Sequence, residues 1–145
     1  MKKFIFLSLV LLTACSNPSG YKITNVRLAD GTVIKAEVAD TAEKQIQGLM
    51  FRESLDWDKG MIFPYEDEIV RSFWMKNTLI DLDIIFISDD KIINCVYKHV
   101  PKSTLSTKNE NVATVACPAM YVLELTAGAA ERYKLADGQK VEFKL

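Results

Sequence analysis

Asp81, Asp83 and Glu124 are acids set among residues that otherwise read as strand and core, and chemistry would start from that placement. If a strand begins at Leu82, Asp81 and Asp83 project from one of its faces. Glu124 alternates with Met120 and Val122 and so enters an apolar strand face in the same way. Converging carboxylates could act as an acid and base pair or hold a hard cation, the equipment of a small hydrolase. The same acids serve structure when they accept backbone N–H groups or meet a cation at the mouth of a core. Arg52, Arg71 and Lys76 are natural cationic partners. Arg71 with Asp81, Asp83 and Glu124 would then form either a buried ionic lock or the polar floor of a ligand pocket.

A second group centres on Trp74, which in an extended strand shares a face with Lys76 and Thr78, while Phe73, Met75 and Asn77 face the other way. An aromatic plate beside a cation and a hydroxyl suits a sugar or a peptide. The alternative is that Trp74 fills the core and Lys76 snorkels outward. Arg52, Trp74, Lys76 and Asn77 are the candidate ligand-binding residues. Cys95 and His99 suggest a nucleophile and its base. Four residues of strand, however, separate their backbones by roughly 13 Å, beyond hydrogen-bond reach. His99 is the only histidine, which excludes zinc sites that need several imidazoles. The chain contains no nucleophile elbow, phosphate loop, dinucleotide fingerprint or metalloprotease helix. No metal, cofactor or catalytic residue is assigned.

The first fifteen residues, MKKFIFLSLVLLTAC, indicate where these groups work. Lys2 and Lys3 precede an apolar run, Phe4 to Leu12, too short to span a bilayer, and Thr13 and Ala14 are the small residues of a processing site. Residues 1–14 read as a signal peptide. The string Leu12, Thr13, Ala14, Cys15 resembles the lipobox of bacterial lipoproteins, which implies a lipid on Cys15. Ser16 to Gly20 then forms a short polar tether. The expectation is an exported, membrane-anchored lipoprotein, at the outer membrane if the source is diderm, because Ser16 stands where an aspartate would favour inner-membrane retention. With Cys15 carrying lipid, Cys95 and Cys117 remain as a pair, either disulfide-bonded or as two buried thiols.

Removing the signal leaves 145 − 14 = 131 residues, enough for one domain with one core. Deleting Lys2 and Lys3 from 18 basic residues leaves 16 against 19 acidic ones, a formal charge of −3. The positive charges are scattered, without the basic stripe that nucleic acid requires. Membrane attachment therefore falls to the lipid, and the domain is expected to be a monomer.

The elements that must position the candidate residues follow from periodicity. Val26 and Leu28, then Ile34, Ala36 and Val38, alternate with polar residues about an Asp30-Gly31 turn and predict a hairpin. Ala42, Ile46, Leu49 and Met50 recur at helical spacing behind an Asp40 or Thr41 cap. Strands are predicted over 60–63, 69–75, 82–87 and 92–100. Residues 102–111 predict a solvated loop. Strand character resumes over 112–126, with Pro118 confined to an edge, bulge or strand start. A short helix over 128–135 and a last strand over 141–145 complete residues 21–145 as one mainly β domain, a compact antiparallel barrel-like or sandwiched sheet with two short helices.

The strings GLMFRESL (48–55), GMIFPY (60–65), FWMKNTLIDLDIIFI (73–87) and YVLEL (121–125), followed by Ala127-Gly128, resemble the domain of unknown function 192 family across the mature domain. Asp81 departs from the pattern, where many relatives carry proline. The resemblance implies a compact β-rich domain, often exported or lipid-anchored, without an established activity. Residues and resemblance together favour a lipid-anchored envelope domain that binds a glycan, a peptide or a protein partner without catalysis. A small envelope hydrolase using Asp81, Asp83 or Glu124 and a structural or assembly factor are the alternatives.

Overall fold

The computed structural model describes residues 20–145. The expected signal peptide, the lipidated Cys15 and the tether through residue 19 lie outside the described residues. Strands β1 (Lys22–Arg27) and β2 (Val33–Val38) form an antiparallel hairpin with Lys22 opposite Val38. Its turn relies on Gly31 at φ 88° and on the Asp30 carboxylate, which accepts from the Thr32 N–H at 2.8 Å. Helix α1 (Ala42–Gln47) starts where the Thr41 hydroxyl accepts from the Lys44 N–H. It stops at Gly48, whose φ of 47° suits a residue without a Cβ. The helix therefore ends three residues short of Met50.

The strands predicted over 60–63 and 69–75 are one strand, β3 (Lys59–Trp74), with an irregularity between Pro64 and Ile69. A bulge bends a strand without ending it, and sequence patterning alone reads such a bend as a gap. Strands β4 (Leu82–Ile87), β5 (Ile93–Val100) and β6 (Thr114–Thr126) complete one sheet in the order β1-β2-β3-β6-β4-β5. The β2–β3 pair is parallel and the other pairs are antiparallel. The parallel pair arises because α1 and the segment after it form a crossover rather than a tight turn. Helix α2 (Ala129–Arg132) follows β6. The predicted last strand, 141–145, is reduced to an extended segment with single bridges from Glu142 to Arg27 and from Lys140 to Ile92. The sheet is mainly β and sandwich-like, and it does not close into a barrel.

Both faces of this sheet are covered. Strand β4, LDIIFI, is buried at every position, as a central strand packed on two sides requires. On one face Ile62, Ile85, Ile87, Leu123 and Leu125 pack with Ala129, Ala130, Val141 and Phe143. On the other, Met61, Phe63, Ile84, Phe86 and Val122 pack with Leu49 and Met75. Cys95 and Cys117 are joined by a disulfide, Cα–Cα 6.4 Å, which ties β5 to β6. Pro118 lies beyond the end of the β4–β6 ladder. Its carbonyl accepts from the Asn94 side chain there, so the absent N–H removes no ladder bond.

The predicted solvated loop begins with an anchor. Ser103 is buried, its hydroxyl donates to the Met75 carbonyl at 2.6 Å and its N–H donates to the Thr78 carbonyl at 2.9 Å. A hydroxyl can satisfy a buried carbonyl that no strand reaches, and composition does not reveal that use. Among the described residues no helix is long and apolar enough to cross a membrane.

Candidate functional site

The register of three strands sets a polar pair into the second core. Glu37 on β2 lies opposite Met61 on β3, Met61 lies opposite Glu124 on β6, and Glu124 lies opposite Ile84 on β4. Neighbouring strands are about 4.8 Å apart, so the two glutamates flank Met61 on one face at roughly 10 Å between backbones. Arg52, in the segment after α1, donates to both oxygens of Glu37 at 3.1 and 2.5 Å. This fork-to-fork pair holds its charge in place, and Glu37 raises the pKa of the guanidinium.

Glu124 has no such partner. It is 6% exposed, and its Oε2 is buried without a hydrogen bond. Burial pushes its carboxyl up to about 8, with the Arg52 charge opposing that rise. Native structures leave few buried polar atoms unsatisfied, and each such atom calls for an explanation. Here Glu124 is among the residues that line a cavity of about 110 Å³ between α1, β3 and β6.

The walls of this cavity are held by local structure. Phe63, Tyr65, Phe73 and Trp74 supply aromatic surface, and Gly48, Ser72 and Thr78 also line it. Phe63 and Phe73 meet edge to face with centroids 5.0 Å apart, and Phe73 continues edge to face onto Phe86. The Gln45 side chain donates to the Pro64 carbonyl at 2.9 Å and fixes α1 against the bend of β3. The Phe51 N–H donates to the Asn77 carbonyl at 2.8 Å, which joins the segment after α1 to the turn carrying Lys76–Thr78. Burial pushes the Tyr65 hydroxyl up to about 12; the Arg71 charge opposes this and the Glu124 charge adds to it. A larger open groove, about 820 Å³, runs along β1 and the C-terminal segment. No buried unpartnered atom lies along it.

Of the residues proposed for ligand contact, Trp74 is half-exposed at the cavity and Lys76 places its ammonium 5.1 Å from the Trp74 ring. The strand ends at Trp74, so Lys76 and Asn77 lie in a turn, with Asn77 at φ 53°, rather than on alternating strand faces. Arg52 is not among the residues that line the cavity and is engaged with Glu37.

The proposed ionic cluster of Arg71, Asp81, Asp83 and Glu124 does not assemble, because residue alternation places Glu124 and Asp83 on opposite faces. Asp83 pairs with Leu125 rather than with Glu124. It is fully buried, and its oxygens accept from the His99 N–H at 2.8 Å and the Ala130 N–H at 2.7 Å. Asp81 accepts from the Lys102 N–H. Arg71 stacks on Tyr65 at 4.0 Å and bonds the backbone and carboxylate of Asp67. His99 is 3.4 Å from Glu131, and Cys95 is held in the disulfide. Among the described residues no three His, Cys, Asp or Glu side chains could together hold a metal ion.

Glu37, Tyr65, Phe63, Phe73 and Gln45 were not legible as site residues. Glu37 alternates with apolar neighbours like any outward strand residue, and its role depends on the parallel register with β3. The aromatics of β3 read as core, which most of their surface is.

A family model described as "Uncharacterized ACR", domain of unknown function 192, matches residues 25–143. The chain belongs to the DUF192 family. Two crystal structures are similar to this chain in fold and sequence. One is of a candidate transcription regulator from Sinorhizobium meliloti, at 32% identity and TM-score 0.73, covering 85% of this chain and 95% of that one. The other is of a protein of unknown function from Novosphingobium aromaticivorans, at 34% identity and TM-score 0.72, covering 89% and 91%. No curated protein matches the sequence.

Proposed function

We propose that this DUF192 domain is a non-catalytic binding module of the cell envelope, carried on a lipid at Cys15, whose ligand enters the cavity over Glu124. The observation that carries this reading is Glu124, whose Oε2 is buried and unpartnered, in the lining of an aromatic-walled cavity with Trp74 half-exposed beside it. A pocket with apolar walls and a few convergent polar groups is the usual form of a binding site. The partner is a glycan, a peptide or a protein segment that presents a small head group to the cavity and rests on the surface around Trp74, Lys76 and Asn77. A hydrolase built on three carboxylates has less support, since Asp81 and Asp83 are engaged by backbone N–H groups away from Glu124. The designation of the S. meliloti neighbour does not carry over as DNA binding. Arg52, Lys44, Lys59 and Arg71 are each paired with an acid, which leaves no basic stripe from them.

Two experiments test this reading. Backbone amide NMR on residues 20–145, titrated with envelope glycans, peptidoglycan fragments and short peptides, should give shifts at Gly48, Tyr65, Trp74 and Glu124. Trp74→Ala should weaken that binding at least tenfold without unfolding the domain. Shifts confined to the β1 groove would move the site elsewhere. Palmitate labelling that persists in Cys15→Ser would remove the lipid anchor.

A further inference from the structure

The cavity over Glu124 has a charge pattern as well as a shape. Arg52 and Glu37 neutralise one another through two hydrogen bonds, so with Glu124 ionised the group carries one net negative charge. Phe63, Tyr65, Phe73 and Trp74 line the cavity with the acid, and two of these rings already carry cations, Arg71 at 4.0 Å from Tyr65 and Lys76 at 5.1 Å from Trp74. Ile84, opposite Glu124 on β4, is apolar. The charged or titratable groups around the acid are Arg52 beyond α1, Glu37 on β2, Tyr65 on β3 with Arg71 stacked on it, Tyr21, whose charge acts on Arg52, and Lys76 in the turn after β3, whose ammonium lies 5.1 Å from the Trp74 ring. At about 110 Å³ the cavity is well below the ~300–1,000 Å³ of drug-sized sites, too small for a sugar ring and suited to a narrow stem.

We infer that the cavity takes a primary ammonium at the end of an unbranched aliphatic chain, with the ammonium against the free Glu124 oxygen and the methylenes between the aromatic walls. This rests on the binding-module reading and specifies the ligand's chemistry. A lysine side chain of a peptide and a free aliphatic diamine share that chemistry. Binding is an ion pair in a desolvated site, so the acid must release its proton as the ammonium enters.

The probes are Nα-acetyl-lysine methylamide, 1,4-diaminobutane, butyramide as a neutral counterpart, and glucosamine, each titrated into residues 20–145 by amide NMR and calorimetry at pH 6 and pH 8. An ammonium ligand should bind with shifts at Gly48, Tyr65 and Trp74 and should release about one proton at pH 6. Its affinity should rise about 50-fold between pH 6 and pH 8, because the ionised fraction of an acid titrating near 8 grows from about one hundredth to one half. The lysine derivative binding more tightly than the diamine identifies a peptide source, and the reverse order identifies a free amine. Glu124→Gln, which resembles the protonated acid in shape, should abolish ammonium binding and its pH dependence. Butyramide or glucosamine shifting these residues while both amines fail would overturn the inference and leave the pocket reading standing. The absence of shifts from all four probes, in a protein whose spectrum shows it folded, would overturn both.

Discussion

Replacing Glu124 by glutamine should change how stability depends on pH more than it changes stability itself. The folded-state carboxyl titrates at about 8 against an ordinary 4.5, and desolvation is the largest cause. Between those values the unfolded chain has lost its proton while the folded protein keeps it, so unfolding releases a proton and stability falls as pH rises. Each unit is worth 1.36 kcal/mol, and 8 − 4.5 = 3.5 units gives about 5 kcal/mol above pH 8. The penalty is about 3 kcal/mol at pH 7 and vanishes below the unfolded value. Glutamine cannot ionise and carries none of it. Urea unfolding of wild type and Glu124→Gln at pH 4, 7 and 9 should therefore give nearly equal stabilities at pH 4. At pH 9 the variant should be more stable by about 5 kcal/mol, equivalent to about 20 °C for a domain of this size. Other titrating groups cancel in the difference. A difference that stays flat from pH 4 to pH 9 would refute a desolvated Glu124.

Three further variants probe the framework around the site. Asp83→Ala strands the buried Ala130 N–H and the part-buried His99 N–H. It should cost roughly 1–4 kcal/mol in chemical unfolding, and a loss under 1 kcal/mol would contradict the assigned bonds. Gly60→Ala places a Cβ 2.7 Å from the Glu124 carbonyl and 2.8 Å from Leu125. The β3–β6 ladder must shift, at about 1–3 kcal/mol, and a melting temperature equal to wild type would show that the strands approach less closely. Cys95→Ala with Cys117→Ala opens a loop of 22 positions. The chain-entropy model gives a loss of about 3 kcal/mol, read as the difference in unfolding midpoint between the oxidised parent and the variant.

The β1–β2 hairpin was legible because Asp30-Gly31 and strict alternation agree, and β4 was legible because its apolar run is unbroken. Strand β3 was not, since the Pro64–Ile69 bend looks like a terminus to any pattern of period two. The site was legible only in pieces. Glu124 stood out as an acid on an apolar face, and Trp74 as an aromatic beside a cation. Their meeting depends on register, on α1 crossing from β2 to β3, and on the Gly48 turn that brings Leu49 into the core and Arg52 onto Glu37. Those are long-range facts. The same alternation that exposed Asp83 as unusual also put it on the far face from Glu124, a separation that sequence shows only once the β4–β6 register is known.

Carbon-detected NMR of the glutamate side-chain carboxyls of the folded domain, followed from pH 3 to pH 10, observes the Glu124 carboxyl directly. Assignment through Glu124→Gln identifies the resonance. A midpoint close to 8 is the predicted result. A midpoint near the ordinary 4.5 would mean that water reaches the acid, and would contradict a desolvated binding site at this position.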